Sequence, residues 1–416
     1  MNKKKIINDP VYGFISIPSE LVYDVISHPY FQRLRYIKQL GMTHLVYPGA
    51  LHTRFHHALG AMHLMSLAIN LLRSKEHIIT DGEEEAAILA ILLHDIGHGP
   101  FSHALEHSLV TGIRHEDISA KLMRDLNVHF NGRLTHAIEV FNGTYPKKFL
   151  HQLISGQLDL DRMDYLNRDS FFTGVSEGVI SFDRIIKMFN VYDDDLVIEE
   201  KGIYSIEKFL IARRLMYWQV YLHKTVIAGE MILVKLLERA KELSAAGADL
   251  FASPSLNYFL KNDINEANFF SQHENLEHFT NLDDQDIYAA VKVWAKHPDK
   301  ILSTLCKMLT SRNLYKVEMG NEMANLDRVI FLQDAAVNLL EIKPEEARYF
   351  VFTDSIQNRA YNAGVGNIKI LMKNNDIVDI AKASDLSNLE SLQKTVEKYI
   401  LCYPSCLLYT SPSPRD

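Results

Sequence analysis

The sequence predicts a mainly α-helical fold with short β-hairpins and a small C-terminal α+β unit, on three observations. Apolar residues recur at three- and four-residue spacing through most of residues 19–342, the period of helices with one buried face. Strict alternation is confined to short runs, at Gly13 to Pro18 and again beyond Arg348. Ten of the 19 histidines fall between His52 and His115, grouped around His94-Asp95-Ile-Gly-His98-Gly-Pro-Phe-Ser-His103. Imidazoles at that density, with an aspartate among them, point to a metal site rather than to packing alone.

Taken in order, Asn8-Asp9-Pro10 signals a turn and Gly13 to Pro18 a short strand. Ser19 to Ile26, Pro29 to Leu40 and Arg54 to Leu72 carry helical spacing. Gly82 to Ile96 is a further helix, opened by Glu83, Glu84 and Glu85, acids that suit a helix N-terminus. Gly97 to Pro100 ends it and places His94 and Asp95 in its last turn, with Pro100 opening the next helix. Gly112 to Leu126 and Phe149 to Asn167 are predicted helical, Asp195 to Ile206 a hairpin, and 207–240 and 270–342 mainly helical. Tyr349 to Thr353 and Ile368 to Met372 are predicted strands, and Ser387 to Tyr399 a closing helix. Residues 402–416, rich in Pro and Ser, are expected to be an unfolded tail, foreign to the domain in composition.

At 416 residues the chain exceeds the usual single core. A segment over 1–45, a helical body over 46–342 and an α+β unit over 343–401 are therefore expected. With 47% apolar and 23% charged residues it is an ordinary globular composition, and a net charge of −8 argues against a surface that coats nucleic acid. The apolar run Ala86 to Leu93 is too short to span a bilayer, and no apolar stretch follows the basic start as in a signal peptide. Three cysteines, Cys306, Cys402 and Cys406, form neither a zinc spacing nor a disulfide framework, so a reducing, cytoplasmic setting is expected.

His57, His94, Asp95 and Asp161 make a candidate metal shell drawn from separate helices. Mixed imidazole and carboxylate donors suit Fe, Mn, Zn or Co better than a Mg site of oxygens, and leave room for a substrate oxygen. Any one histidine is as often a core residue, and Asp161 alone reads equally as a helix cap; the cluster decides. Arg54, Arg162, Arg168, Arg213, Arg214 and Lys224 are candidates to converge on a phosphate.

Long phrases then carry a resemblance: Ile7-Asn-Asp-Pro10 with Gly13, Phe31 to Gly41, Pro48-Gly-Ala50, Arg54-Phe-His-His57, His94 to His103 and Asp159 to Tyr165. A weaker match follows at Arg312 to Lys316. Up to about Ile400 the chain resembles the HD-domain phosphohydrolases, and among them the deoxynucleoside triphosphate triphosphohydrolase branch. The resemblance implies a helical HD catalytic domain with His57, His94, Asp95 and Asp161 as ligands of one divalent transition metal, and Mg accompanying the substrate phosphates. It implies catalytic roles for His103, oriented by Glu106, and for His115. Arg54, His98, Arg162 and Arg213 match positions that hold a triphosphate; Gln39, Leu40, Tyr165, Asp169 and Tyr221 match a deoxyribose pocket. Asn8, Gln32 and Arg35 match a regulatory nucleotide site at a subunit contact, implying a nucleotide-activated homo-oligomer, dimer or tetramer. Ser27 stands where some members read guanine with Asp, and Leu222 where some place Gln near the base. The competing readings are an HD hydrolase acting on an alarmone, a cyclic nucleotide or a nucleoside monophosphate, and a nucleic-acid-binding regulatory module.

Overall fold

The computed structural model describes residues 5–101, 110, 112–358, 367–385 and 396–410. The chain opens with an antiparallel hairpin, β1 (Ile6–Asp9) on β2 (Gly13–Ser16), whose turn is closed by the Asp9 carboxylate accepting from the Val11 and Tyr12 amides. Helices α1 (Glu20–Ser27) and α2 (Pro29–Gln32) follow, and a short 3-10 turn over Arg33–Tyr36 replaces the expected continuation to Leu40. The centre is built by α3 (Arg54–Ser74) packed on α4 (Asp81–Leu93). Both are buried around most of their circumference, and α4 runs from Ala86 to Leu93 without an exposed residue, as expected of helices inside a core. A reciprocal cap fixes the start of α4: the Thr80 amide donates to the Glu83 carboxylate and the Glu83 amide to the Thr80 hydroxyl.

Around this pair stand α5 (His115–His129), α6 (Thr135–Phe141), α7 (Lys148–Gln152), α8 (Leu160–Thr173) and α9 (Phe182–Lys187). The single helix expected over Phe149 to Asn167 is two. The break spans Leu153 to Asp159, where Asp159 caps α8 by accepting from the Arg162 amide at 2.8 Å, and Gly174 ends α8 in the left-handed conformation. The hairpin also falls earlier than expected: β3 (Phe189–Tyr192) pairs with β4 (Asp195–Glu199) through Asp193 and Asp194, both at positive φ, and Ile203 already belongs to α10 (Ile203–Met216). α10 runs into one π-helical turn over Tyr217–Tyr221, then α11 (Lys224–Ala245).

The remaining helices are α12 (Pro254–Lys261), α13 (Glu266–Phe269), α14 (His273–Thr280), α15 (Asp284–Trp294), α16 (Lys300–Thr310), α17 (Leu326–Leu340) and α18 (Ile380–Ala383). The C-terminal α+β region is present, and earlier strands share its sheets. β7 (Lys369–Leu371) pairs in parallel with β4 and then with β8 (Ile377–Asp379). β5 (Tyr315–Gly320) and β6 (Phe352–Asn358) flank β9 (Val396–Pro404). Two expectations are corrected here. Val396 to Tyr399 is strand rather than helix, because all four residues pair with β6 and Tyr399 begins the pairing with β5. The tail is not unfolded from 402: Cys402 to Pro404 is buried central strand and Ser405–Thr410 a 3-10 turn.

Candidate metal centre

Three helix ends aim their side chains at one point. Arg54 and His57 occupy the first turn of α3, and Asp161 the first turn of α8. His94 and Asp95 lie just past the last residue of α4, in a tight turn rather than inside the helix. That turn is held from both sides. Ser119 donates to the His94 carbonyl at 2.8 Å and accepts from the Gly97 amide at 2.9 Å. Buried Arg33 donates to the carbonyls of Ile96 at 3.0 Å and His98 at 2.8 Å.

Nε2 of His57 stands 3.1 Å from Asp161 Oδ1 and 3.7 Å from Asp95 Oδ2. Nε2 of His94 stands 3.4 Å from Asp161 Oδ1 and 3.3 Å from Asp95 Oδ1. One donor atom each from His57, His94 and Asp161 lie within 4.8 Å of one another. Both Nε2 atoms are buried and make no hydrogen bond, which buried polar atoms rarely tolerate unless they ligate something. Their tautomers are set from behind: His57 Nδ1 donates to Asp164 at 2.7 Å and His94 Nδ1 to the Ile91 carbonyl at 2.6 Å, leaving each Nε2 lone pair facing the carboxylates. The donor set fits a divalent cation.

Behind the ligands lies a buried charge chain. Arg168 donates to Asp164 through Nε at 2.9 Å and Nη2 at 3.0 Å, and through Nη1 to Asp9 of β1 at 2.7 Å. Arg168, one of the phosphate candidates, is therefore consumed inside the protein. Gly60, one turn along α3 from His57, makes room for this chain; a Cβ there would overlap the Asp164 carboxylate and the Arg168 guanidinium. Gly60→Ala is expected to misplace Asp164 and weaken metal binding by about 10- to 100-fold with helical content retained; titration with the metal, followed by calorimetry and circular dichroism, checks this.

Burial alone would lower the pKa of both histidines. The Asp161 and Asp164 carboxylates overcome it at His57, pushed up to about 10, and the charges of Asp95 and Asp161 do so at His94, pushed up to about 8. A metal takes only the neutral imidazoles, so both raised values oppose it at neutral pH. Metal affinity should thus climb as pH rises towards 8 and continue more gently towards 10, with about one to two protons released per ion at pH 7. Calorimetry in buffers of different ionisation enthalpy counts them; an affinity independent of pH would contradict the assignment.

A cavity of about 390 Å³ opens beside the cluster. Its walls include Arg54, Asp95, His98, His115 and Asp161 near the metal ligands, and Gln39, Leu40, Tyr165, Asp169 and Tyr221. Arg54 Nη1 ion-pairs with Asp95 Oδ2. His98 stacks on His115 with ring centroids 3.8 Å apart, and one atom of each lies within 4.8 Å of Asp95, which groups with these two histidines while standing 3.7 and 3.3 Å from Nε2 of His57 and His94. Asp169 accepts from His52 at 2.8 Å and from the Tyr221 hydroxyl at 2.7 Å. The π turn, in which the Leu222 amide reaches the Tyr217 carbonyl at 2.7 Å, turns Tyr221 and Tyr217 to this wall.

Other expected residues stand elsewhere. Arg162 ion-pairs with buried Asp159, and Arg213 meets Gln157 at 3.5 Å; neither lines the cavity, nor do Arg214 and Lys224. Arg162 and Arg213 flank Tyr165: burial and the Tyr217 phenol push that phenol well above its usual range, and the two guanidiniums pull it partly back. Arg35 donates to Gln32 at 2.8 Å beside Phe55, whereas Asn8 is exposed on β1. His103 and Glu106 lie outside the described residues. Sequence reasoning missed Arg33, His52 and Asp164. The i, i+4 spacing of Asp164 and Arg168 was the one available signal for that pair.

The fold and the ligand cluster are those of an HD-domain phosphohydrolase. The HD domain family matches residues 54–169 and the HD associated region residues 180–253. A crystal structure of a phosphohydrolase from Bacteroides thetaiotaomicron is 56% identical, with a TM-score of 0.94 over 96% of this chain and 100% of that one. The uncharacterized protein YwfO of Bacillus subtilis is 32% identical over 98% of this chain and 94% of its own. The chain belongs to the HD-domain phosphohydrolases. Two further relatives carry the name deoxynucleoside triphosphate triphosphohydrolase SAMHD1. The Dictyostelium discoideum homolog is 31% identical over 75% of this chain, and the human protein 27% identical over 75%. This chain spans 59% and 54% of their lengths.

Proposed function

We propose that this enzyme hydrolyses deoxynucleoside triphosphates: water attacks the α-phosphorus, the bond to the 5′-oxygen breaks, and a deoxynucleoside and inorganic triphosphate leave. The observation that carries the reading is one cavity combining metal ligands Asp95 and Asp161 with a carboxylate and two phenols, Asp169, Tyr165 and Tyr221. In this reading Asp169, already held by His52 and Tyr221, accepts from the 3′-hydroxyl. Tyr165 packs where a 2′-hydroxyl would stand. Arg54 and His98 meet the phosphates, with Arg162 and Arg213 adding positive charge from beside Tyr165. His115 faces the phosphates from the cavity wall, and His103, oriented by Glu106, protonates the 5′-oxygen, worth about 10²–10⁴ in rate. A divalent cation on His57, His94, Asp95 and Asp161 would supply Lewis acidity at the phosphoryl oxygen.

The relatives named for this activity support the substrate class. The hydrogen-bonded pair of half-buried Gln32 and exposed Arg35 supports a nucleotide-activated homo-oligomer. Three unpaired cysteines support a cytoplasmic setting, and among the described residues no helix is long and apolar enough to cross a membrane. Tyr165→Ala should raise kcat/KM for ribonucleoside triphosphates relative to dNTPs by about tenfold or more, because the steric bar to the 2′-hydroxyl goes. The direct test is incubation with each dNTP, singly and mixed, under Mn, Mg, Fe and Co. Inorganic triphosphate as product is expected; pyrophosphate or a linearised cyclic nucleotide would reject the reading.

A further inference from the structure

Once the metal ligands and the Asp169–Tyr221 wall are assigned to phosphate and sugar, part of the cavity lining has no role. It consists of Gly41, Thr43, Phe101, Tyr217, Leu222 and Glu230. Apolar and aromatic faces around a single charged side chain are the chemistry of a pocket for a flat, hydrogen-bonding ring. Glu230 sits on α11 in the apolar run Val226 to Val234, one residue after Gly229, where a Cβ would come within 2.8 Å of the Leu45 side chain and 3.4 Å of Met42. The α11 backbone is thereby fixed, and the carboxylate is held to the cavity, with Oε1 3.7 Å from where a Cβ on Gly41 would lie.

Among the described residues Glu230 makes no hydrogen bond and no ion pair. Desolvation in the cavity wall pushes its carboxyl up to about 7. Glu230 is half-buried, its carboxylate at the cavity wall, and Gln39 on the same cavity has a buried Oε1 without a donor. A protein does not bury a lone acceptor without cost, and a ligand that supplies the donor recovers that cost.

We propose that Glu230 reads the nucleotide base, accepting from an amino group or ring N–H on its pairing edge and thereby disfavouring thymine. The inference rests on the dNTP reading. Guanine presents two adjacent donors that match both carboxylate oxygens, and adenine and cytosine each present an amino group. Thymine offers one N–H between two carbonyls that repel a carboxylate. Selectivity of this kind comes from leaving a buried polar group unpaired with the wrong base.

The test compares kcat/KM for dGTP, dATP, dCTP and dTTP in the metal-loaded enzyme and in Glu230→Gln and Glu230→Asp, with metal content measured in each. The wild type should turn over dTTP least. Glu230→Gln, whose amide donates as well as accepts, should raise the dTTP-to-dGTP ratio by about tenfold. Glu230→Asp, with a withdrawn carboxylate, should lower all four while keeping their order. Turnover of all four dNTPs with ratios unchanged in both variants would overturn the role of Glu230 and leave the dNTP reading standing. No turnover of any dNTP by the wild type would overturn both.

Discussion

Asp95→Ala is expected to lose metal and turnover together. Asp95 faces both unpartnered imidazole nitrogens, at 3.7 Å from His57 and 3.3 Å from His94, and it is the counter-charge of Arg54. Burial works against its ionisation, yet the surrounding imidazoles and Arg54 hold its carboxyl well below the usual range, so it is an anion at every working pH. Removing it takes one anionic donor from the ion and strips the Asp95 counter-charge from the Arg54 guanidinium beside the site. Bound metal should fall from about one ion per chain to near none, and kcat/KM by about 10³-fold or more. Elemental analysis of the purified variant alongside its kinetics checks this; His94→Ala should behave the same way. Full occupancy in either variant would refute the shell.

Arg168→Met should be the most destabilising single change near the site. Its guanidinium is fully buried between Asp9 and Asp164, and methionine takes the bridging cation from both carboxylates. Breaking a buried pair from one side costs about 3–5 kcal/mol, read as a lower urea midpoint at unchanged slope. Metal affinity should fall as well, because Asp164 orients His57. Arg168→Lys restores the charge without the fork that spans two acids, so it should recover only part of the loss. A variant as stable as the wild type, with undiminished metal affinity, would show that the charge chain does not support the ligand.

Much of the fold was legible because helices are local. α3 begins at Arg54, and α4 starts within a residue of its acidic first turn, since period and caps lie in neighbouring residues. β9 was misread for the opposite reason: its partners, at 315–320 and 352–358, are remote in sequence, and the Cys- and Pro-bearing stretch 402–404 looks unlike a central strand until both neighbours are in place. The π turn over Tyr217–Tyr221 has no compositional signature at all.

At the site, His57, His94 and Asp161 bring one donor atom each within 4.8 Å of one another, with Asp95 3.7 and 3.3 Å from the two imidazole nitrogens, because each sits at a helix end with a distinctive residue type. The second layer was harder. Asp164 reads as an ordinary polar position on α8 and Arg168 as a phosphate candidate, and only the packing of α8 on α3 over Gly60 turns the two towards each other inside the protein. Arginine charge likewise says nothing of direction: Arg33 supports the His94–His98 turn and Arg54 faces the cavity, although both are buried cations near one centre. Glu230 was detectable as an acid within an apolar helical run, a pattern that burial without a purpose makes costly.

Anomalous diffraction from crystals of the metal-loaded protein, recorded on both sides of the metal's absorption edge, tests the centre most directly. A single strong peak is expected about 2.0–2.3 Å from Nε2 of His57, Nε2 of His94 and a carboxylate oxygen each of Asp95 and Asp161. A peak beyond coordinating reach of His57 or Asp161, or a loaded crystal with no peak among these four side chains, would contradict the account.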